Sequence, residues 1–490
     1  MKMYQVPLVI RGEVIEDYTQ EYAGRQGGIS FRTPDVNKYM KQLVTTPAAL
    51  DDLYRISLDE IVDFIVTVGK HMDLATNKHL QEAFEISTIT SGMTESVLKA
   101  VYSGFDGVFT RQSLNEYIDV QLGRDALEGW VERELHDGRK YSVRAFGARM
   151  VHVMAGNSPM VAFLTILRNA VTRSDSIMKL PSNDPLSGVA FLRTMIDIDA
   201  SHPVTRHLSA AYWKGGDEKT EARIYSPRNV EKIVAWGGFD SVKHITKYLQ
   251  PGIDLITLDP KHSASIIGRE ALADDATVRD VARRAASDVG SFNQELCANA
   301  RVIYVHCDVD DPHQLAMLNL LGSELYLALQ NLPRDLSTES KYLVPELQDE
   351  IEGLEFQDQW YKVFRGDERS GAVIVSQLDE PVEFTALLAC RTANIVPVKA
   401  LEDILKRVTS DTQTIGIYPN SLKDAIKDRL GFQGAQHIIS LGYVPRLNFI
   451  GPQDAIETER RMVKWVKDVS LDPQTTPGPW EVGLSINRAK

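Results

Sequence analysis

The chain has 490 residues, which is too long for one ordinary hydrophobic core, and we expect it to fold as two or three domains. Its 43% hydrophobic and 25% charged residues are typical of a folded globular protein and exclude a disordered chain. The formal charge of −13, with no block of lysine or arginine, argues against nucleic acid and anionic membranes as main partners and favours small-molecule chemistry.

Cysteine use and hydropathy indicate the compartment. The three cysteines have no paired spacing, which fits a reducing environment and excludes CxxC metal or redox motifs. The first residues show no long apolar stretch before a cleavage site, and the apolar run at 160–167 is too short for a membrane span. We therefore expect a cytoplasmic protein with no membrane-spanning segment.

The N-terminal part is predicted to hold a hairpin and then a layer of helices. Residues 9–15 form two short apolar runs around Gly12, which is typical of a hairpin. Ser57 and Glu60 have capping-box spacing, and the apolar residues that follow fall on one helical face. Residues from about 50 to about 130 are therefore predicted to be scaffold helices.

From about residue 143, short apolar runs alternate with helical patterns, as in a mostly parallel sheet with crossovers. The predicted elements are a strand at 149–154, a helix at 160–170, a strand at 176–180 and a helix at 191–198. Two successive strand–loop–helix units are typical of a nucleotide-binding α/β domain.

A third unit has a predicted strand at 232–236 that runs into Gly237 and Gly238 before a helix near Asp240 or Ser241. Adjacent glycines let backbone approach a ligand, and the following helix offers free N–H groups to a phosphate. The chain has no GxGxxG motif and no Walker lysine, so a tight turn without a ligand remains an alternative. Later predictions are a strand at 255–258, a helix at 277–288 and a strand-like run at 447–450.

The segment 292–301, Phe-Asn-Gln-Glu-Leu-Cys-Ala-Asn-Ala-Arg, leads directly into an apolar strand at 302–305. It places Cys297 at a loop-to-strand junction, where a side chain can face a cleft. A free cysteine is more often buried, and Cys307 and Cys390 fit core or strand-end positions. Cys297 has polar neighbours on both sides and is the candidate nucleophile.

The order of these units resembles the aldehyde dehydrogenase superfamily over residues from about 140 to about 467. Within it the chain is most similar to the LuxC-type acyl-CoA reductases, the fatty acid reductase component of bacterial luminescence systems. The segment 413–419, and 451–454 followed by a predicted helix with Trp465, carry that likeness. The resemblance implies an α/β fold with a Rossmann-type cofactor domain, an α/β catalytic domain and a small oligomerisation element.

The same resemblance implies a division of the chain. The implied parts are an N-terminal hairpin and helical part of the cofactor-binding domain (1–137), an oligomerisation hairpin (138–150), the Rossmann-type domain (151–270), the catalytic domain (271–467) and a C-terminal oligomerisation tail (468–490).

Two catalytic residues follow from the resemblance. Cys297 matches the superfamily nucleophile, and Asn157 matches the asparagine whose amide helps to form the oxyanion hole. A plain turn residue is the alternative for Asn157.

Four cofactor-binding residues are implied as well. Lys179 matches the lysine that contacts the adenosine ribose, although a leucine stands between it and the proline that directly follows that lysine in the superfamily. A solvated strand end is its alternative. Gly237 and Gly238 match the turn near the pyrophosphate. Ser182 is followed by Asn183, where NAD-preferring relatives have a glutamate, so NADPH is expected and NADH stays an alternative.

The chain departs from the superfamily where hydrolytic members carry a glutamate, since the matching stretch is 258–263, Leu-Asp-Pro-Lys-His-Ser. Without a base to activate water, an acyl-enzyme is reduced rather than hydrolysed. Asp259 or His262 could substitute for the glutamate. A second departure is Ala455, because the family favours Pro-His-Asp-Gly where this chain has Pro-Gln-Asp-Ala at 452–455.

The expected function is NADPH-dependent reduction of a long-chain acyl-CoA, or of an acyl group on a protein, to the aldehyde. The alternatives are an NAD(P)-dependent aldehyde dehydrogenase that releases an acid and a non-catalytic acyl-carrying subunit. The resemblance also implies a homo-oligomer and a partner enzyme that activates acyl groups.

Overall fold

The computed structural model describes residues 2–24, 28–136, 139–446, 449–471, 474 and 478–482. Its strands, in chain order, are β1 Met3–Gln5, β2 Leu8–Ile10, β3 Glu13–Ile15, β4 Gln20–Ala23, β5 Ser30–Thr33, β6 Val131–Glu134, β7 Lys140–Phe146, β8 Arg149–Val153, β9 Asp175–Lys179, β10 Leu208–Ala211, β11 Lys232–Trp236, β12 Asp254–Leu258, β13 His262–Ile267, β14 Ala300–His306, β15 Tyr361–Arg365, β16 Ala372–Ser376, β17 Thr392–Val398, β18 Thr412–Tyr418, β19 His437–Ser440 and β20 Lys464–Asp468.

The α-helices are α1 Met40–Leu43, α2 Asp51–Tyr54, α3 Leu58–Lys70, α4 Lys78–Thr90, α5 Glu95–Ser103, α6 Phe105–Val108, α7 Arg111–Gln121, α8 Arg124–Glu128, α9 Met160–Val171, α10 Ser187–Asp199, α11 Pro203–Arg206, α12 Glu218–Ile224, α13 Phe239–Ile245, α14 Asp275–Gly290, α15 Pro312–Gln330, α16 Pro345–Glu355, α17 Leu401–Lys406, α18 Asn420–Gln433, α19 Thr458–Met462 and α20 Pro479–Val482. Short 3₁₀ turns occupy Val36–Tyr39, Pro47–Leu50, Thr246–Tyr248, Arg269–Leu272, Ser291–Gln294 and Thr385–Leu387.

The first large sheet has the strand order β12-β11-β8-β9-β10-β2-β3. Its five strands from β8 to β12 are parallel, and β2 and β3 add antiparallel strands at one edge. After β8, the next strands in the chain, β9 and β10, lie on one side of it, whereas β11 and then β12 lie on the other side. The topology therefore switches between β8 and β11. Ligands of open α/β sheets bind above the carboxyl ends of the strands at such a switch.

The second large sheet has the order β15-β16-β17-β14-β13-β18-β19. Its strands are parallel except for β15, which runs antiparallel to β16. The strands at its centre are almost wholly buried because helices cover both faces, which is why they read as continuous apolar runs in the sequence.

Several sequence predictions are confirmed at the N-terminus. β2 and β3 form the expected hairpin, and Arg11 and Gly12 turn it with φ of 52° and 86°. Ser57 forms the predicted capping box with Glu60 at the start of α3. The helices that follow pack their apolar faces into a shared core with α9 and α10.

The helix α9 is the apolar run noted in the sequence. Nearly every residue of it is buried between the first sheet and the N-terminal helices, which explains why it is apolar on all sides. None of the helices in the described ranges has the length and apolar composition that crossing a membrane requires.

A small antiparallel sheet has the order β20-β7-β6 and joins the predicted hairpin region to the C-terminal part of the chain. The predicted strand at 447–450 is wrong where it can be compared: residues 447 and 448 lie outside the described ranges, and Phe449 and Ile450 belong to no strand. Most of the predicted tail at 468–490 also lies outside those ranges.

A buried charged pair links α9 to the C-terminal part of the chain. Arg168 on α9 donates from Nε to Glu459 on α19 at 2.7 Å, and both side chains are almost fully buried. Tyr117 and Gln121 on α7 also donate to the Glu459 carboxylate. Burial disfavours the Arg168 cation, but Glu459 and Tyr117 outweigh it and raise the pKa of Arg168.

Breaking this pair should destabilise the fold. Arg168→Met leaves the Glu459 carboxylate buried without its cation, and we expect it to cost about 3–5 kcal/mol of unfolding free energy. The measurement is the urea midpoint of the purified variant. The double variant Arg168→Met/Glu459→Leu should be less destabilised than the single one. A single variant as stable as the parent would contradict the buried pairing.

Candidate active site

The candidate site lies where the carboxyl edge of the first sheet meets the amino edge of the second. The turn after β8 carries Asn157, and the loop before β14 carries Cys297. The Asn157 amide donates from Nδ2 to the backbone carbonyl of Glu295 at 3.1 Å. The structure therefore brings together the two residues that the resemblance assigns to catalysis.

The Asn157 turn is held by close packing against the loop after β9. Asn183 donates from Nδ2 to the carbonyl of Gly156 at 2.9 Å. A Cβ added at Gly156 would lie 2.1 Å from Asn183 Oδ1, so only glycine fits this approach. Asn183 thus fixes the backbone next to Asn157.

The loop that carries Cys297 reverses sharply after α14. Phe292, Asn293 and Gln294 have φ of 54°, 55° and 64°, a left-handed conformation that costs free energy for residues with a side chain. The Gln294 amide offsets this cost by donating to the carbonyls of Ala300 and Thr392 at 3.0 and 2.9 Å. These contacts anchor the loop to β14 and β17 and present the next residues to the cleft.

The second sheet also holds Cys297 directly. Ser263 donates from Oγ to the Cys297 carbonyl at 2.7 Å, and the Thr414 N–H donates to the same hydroxyl at 3.1 Å. Cys297 is exposed, whereas Cys307 is buried behind β14, as expected. Cys390 is half-buried in a left-handed turn with φ of 55°, next to the start of β17.

The sulfur of Cys297 lies in a mixed electrostatic environment. Although the residue is open to solvent, surrounding protein raises the pKa of the Cys297 thiol, and the charge of Asp454 raises it further. A hydrogen bond from Gln413 and the positive charge of Arg301 act in the opposite direction. The thiolate is the reactive form of a cysteine, and the net effect of these groups is to disfavour it in Cys297.

Two of the four residues expected to bind a cofactor, Lys179 and Ser182, lie at and just after the carboxyl end of β9. Lys179 is half-buried, with its ammonium 5.7 Å from the centre of the Trp213 ring. Burial lowers the pKa of Lys179 to about 8, against an opposing effect of Glu221. Burial raises the pKa of Tyr212 to about 12, and the nearby Ser182 side chain opposes that rise.

Glu221 is a buried carboxylate that the sequence did not indicate. Its oxygens accept from the Tyr248 hydroxyl at 2.9 Å and the Gly216 N–H at 3.2 Å, and lie 2.7 Å from His244 Nε2. These contacts join α12 to α13 beside the switch point. Because the carboxylate is fully engaged, it is a structural group rather than an open ligand.

The glycine turn follows β11 at the topological switch. Gly237 has φ of 150°, and Gly238 is the N-cap residue of α13. A Cβ added at Gly238 would meet no atom within 4 Å among the described residues, so the space beside this turn is open. The geometry suits the approach of a ligand to the backbone.

Neither proposed substitute for the missing glutamate is placed as a partner of Cys297. His262 is exposed at the start of β13, and Asp259 lies 3.9 Å from Lys261. The charged groups with the largest effect on the pKa of Cys297 are Asp454 and Arg301. A role for Asp259 or His262 as a base gains no support.

Comparison with known proteins decides the family. The model of the acyl-CoA reductase (LuxC) family matches residues 53–465, most of the chain. The chain belongs to the LuxC family. Its chemistry is that of an acyl reductase, and the predicted family is confirmed.

Curated relatives extend the match over nearly the whole length. A long-chain acyl-protein thioester reductase from Vibrio harveyi is 25% identical over 493 residues, with 96% of each chain covered. One from Photorhabdus luminescens is 26% identical over 436 residues, with 86% of each chain covered.

Solved structures confirm the predicted fold. An NADP-dependent glyceraldehyde-3-phosphate dehydrogenase from Bacillus halodurans aligns with a TM-score of 0.69 at 12% identity, over 95% of this chain and 99% of that one. A lactaldehyde dehydrogenase from Escherichia coli aligns with a TM-score of 0.67 at 12% identity, with the same coverage. The fold is that of the aldehyde dehydrogenases.

Two residues near Cys297 had no role in the sequence interpretation. Gln413 on β18 donates from Nε2 to Asp454 Oδ1 at 2.7 Å, and both act on the sulfur. They lie in the two segments, 413–419 and 451–454, that carry the likeness to the LuxC family. The likeness of these two segments to the LuxC family was the sequence feature that could have indicated Gln413 and Asp454. The segments are far apart in the chain, but both carry that likeness.

Asp454 stands at the tip of a tight turn. Gln453 and Ile456 exchange two backbone hydrogen bonds of 2.9 and 3.0 Å, and Asp454 and Ala455 between them have φ of 50° and 62°. This is a type I′ turn, for which Asp-Gly is a preferred pair. Such a turn favours glycine at the position that Ala455 occupies, as the sequence resemblance implied.

Replacing Ala455 should therefore stabilise the protein. Ala455→Gly relieves the left-handed strain, and we expect a gain of about 0.5–1 kcal/mol in unfolding free energy. Ala455→Val, with a branched side chain in the same conformation, should lose stability. Thermal melts of both variants test this, and a less stable glycine variant would contradict the turn geometry.

Proposed function

We propose that this LuxC-family chain reduces a long-chain acyl thioester to the aldehyde, with NADPH, through an acyl group held on Cys297. The observation that carries the proposal is the hydrogen bond from Asn157 to the Cys297 loop. This bond supports the proposal because it ties the Asn157 amide to the loop that carries the exposed Cys297, two residues after Glu295.

The first half of the reaction is acyl transfer to the enzyme. The Cys297 thiolate attacks the carbonyl carbon of the thioester, and the carbonyl oxygen becomes anionic. One N–H of the Asn157 amide is bonded to Glu295, and its second N–H is left to stabilise that oxygen together with a backbone N–H of the Cys297 loop. The bond to the carrier sulfur then breaks, and the carrier thiol leaves with the proton that Cys297 has lost.

The second half releases the aldehyde. A bound nicotinamide dinucleotide would supply the hydride. Cys297 holds the acyl carbon during this delivery, and Asn157 stabilises the same oxygen when it becomes anionic again. The carbon–sulfur bond to Cys297 then breaks, which frees the aldehyde and leaves the thiolate. A proton from solvent replaces the one that left with the carrier thiol and restores Cys297 for the next cycle.

The first sheet has the features that a dinucleotide needs. The open turn at Gly237 and Gly238 lies at the topological switch, where such ligands bind. Lys179 is a half-buried cation that forms no ion pair in the part of the chain that the structure describes. The side chain after Ser182 is the neutral Asn183, which adds no repulsion to a 2′-phosphate. These residues favour NADPH over NADH.

The Cys297 loop carries apolar side chains that could contact an acyl group. Phe292 and Leu296, close to Cys297 in the chain, are partly buried and pack against the main core, as do Met160, Phe449 and Ile450. Apolar side chains of this kind suit a long hydrocarbon chain. The named relatives are acyl-protein thioester reductases, so we include an acyl group on a partner enzyme as a donor beside acyl-CoA.

A catalytic test follows from these roles. Cys297→Ala should abolish aldehyde formation, and Asn157→Ala should lower kcat by about 10²- to 10³-fold because one oxyanion donor is lost. The assay supplies acyl-CoA of several chain lengths with NADPH or NADH and quantifies both aldehyde and acid. Cys390→Ser is the matched control and should stay active.

Each of the other outcomes would support a different function. Acid in place of aldehyde would show an aldehyde dehydrogenase. A stable acyl label on Cys297 without turnover would show a carrier subunit. Aldehyde formation by Cys297→Ala at the parent rate would remove Cys297 from the mechanism.

We also propose that the chain forms a homo-oligomer through the sheet β20-β7-β6. In the described residues, β20 is an edge strand paired only with β7. Large apolar side chains are exposed on or beside this sheet: Trp130, Leu135, Trp465, Val466 and Val469. Exposed apolar groups beside an open strand edge are typical of a surface that another chain covers.

Negative charge introduced on the exposed apolar surface of this sheet tests the oligomer. Val466→Glu/Val469→Glu should lower the mass measured by light scattering to that of one 54.8 kDa chain. Phe356→Glu, at a side chain that is 91% exposed on a distant helix end, is the control and should keep the parent mass. A monomeric parent protein would contradict the proposal.

A further inference from the structure

We propose that Gln413 and Asp454 are positioning residues for the reacting sulfur: the Asp454 carboxylate fixes the Gln413 amide so that it donates a hydrogen bond to Cys297. This inference deepens the proposed function and rests on Cys297 as the nucleophile. It assigns a task to the two segments that mark the LuxC family and that the mechanism above leaves unused.

The backbone explains why Gln413 reaches the site. In the pairing of β13 with β18, His262 lies opposite Thr412 and Ala264 opposite Ile415. One residue on β13, Ser263, therefore faces two on β18, which is a β-bulge. Bulges redirect side chains and are common beside active sites.

Within the bulge, the two β18 residues have different contacts. The Thr414 N–H donates to Ser263 Oγ, and that hydroxyl in turn donates to the Cys297 carbonyl. The side chain of the neighbouring Gln413 bonds Asp454 and lies close enough to Cys297 to lower the pKa of its thiol. The strand thus holds both the backbone and the sulfur of the nucleophile.

Asp454 determines which end of the amide faces the sulfur. A carboxylate only accepts hydrogen bonds, so the 2.7 Å contact places the amide nitrogen of Gln413, not its oxygen, at Asp454. The same nitrogen carries a second N–H, which is the donor available to Cys297. An amide without this partner could turn its oxygen toward the sulfur and repel a thiolate.

The turn that carries Asp454 is anchored on the other side of the cleft. Gln453, the preceding residue, accepts from Arg168 Nη2 at 2.5 Å through its side-chain oxygen. Arg168 in turn is held by the buried Glu459. Just before the turn, the Gly451 carbonyl accepts from Gln121 Nε2, and the Gly451 N–H donates to Gln121 Oε1. Asp454 is therefore presented by a rigid support and not by a free loop.

The two residues have opposite effects on the ionisation of Cys297. The negative charge of Asp454 opposes a thiolate, and the Gln413 donor favours it. Arg301 favours the thiolate from the strand that follows Cys297. Asp259, Lys261 and Arg168 act on Asp454 from its other sides. Removal of the donor and removal of the charge should consequently shift the reactivity of the sulfur in opposite directions.

The test measures that reactivity without substrate. The alkylation rate of Cys297 by iodoacetamide is followed from pH 6 to 11 by mass spectrometry of its peptide. Gln413→Met, which keeps the length but has no donor, should raise the pH midpoint by about 0.5–1 unit. Asp454→Asn should lower it by about 0.5 unit, because the asparagine oxygen still accepts from Gln413 while the charge is gone.

Controls separate this role from a structural one. Gln436→Leu removes an amide that donates to the Ser410 carbonyl. This control should keep the parent pH midpoint of Cys297 alkylation. Gln413→Glu places a negatively charged acceptor at the sulfur and should raise the pH midpoint more than Gln413→Met does. It replaces the methionine variant in the test if that variant fails to fold. A merely structural role would lower melting temperatures without moving the midpoint.

The results decide the inference independently of the proposed function. Midpoints that coincide with the parent value in the Gln413 variants and in Asp454→Asn, or that move in the same direction, would overturn the positioning pair. A Cys297→Ala protein that kept its activity would instead overturn the proposed function and leave the alkylation result unchanged.

Discussion

The site exists because two parallel sheets meet with opposite edges. The carboxyl ends of β8 and β11 carry Asn157 and an open glycine turn, and the amino ends of β13, β14 and β18 carry Cys297 and its neighbours. One hydrogen bond, from Asn157 to the Glu295 carbonyl, spans this junction at 3.1 Å. It ties the turn after β8 in the first sheet to the loop that carries Cys297 in the second, so the proposed chemistry depends on this contact between the sheets.

A second connection crosses the same junction at greater depth. The buried Arg168 pairs with Glu459 and also holds the turn next to Asp454. A buried ion pair contributes little net stability compared with apolar packing, but it is costly to break and is strict about geometry. In this chain Arg168 contacts the turn next to Asp454 through Gln453, and Gln121, which also donates to Glu459, bonds Gly451 just before that turn. A network of this kind explains why charged groups are kept in a core that apolar residues could fill.

The sequence predicted what depends on local pattern. Buried parallel strands are short apolar runs, so β8, β9, β11 and β14 could be placed, and the loop with Cys297 stood out by its polar neighbours. The contact between Gln413 and Asp454 could not be placed, because it depends on a bulge in β18 and on a left-handed turn 41 residues away. Such geometry is produced by tertiary packing, and one alanine in the turn, Ala455, concealed it further by replacing the usual glycine.

The resting state of Cys297 fits a two-step thioester reaction. Surrounding protein and Asp454 raise the pKa of the Cys297 thiol and so favour its protonated form, which is less reactive than the thiolate. The groups that favour the thiolate, Gln413 and Arg301, act from the second sheet, and the oxyanion donor that we propose, Asn157, belongs to the first. In the proposed mechanism, charge on sulfur and charge on oxygen are therefore stabilised by different sheets. The negative charge that moves from the sulfur to the carbonyl oxygen in that mechanism would then be stabilised at each end without rearrangement of either sheet.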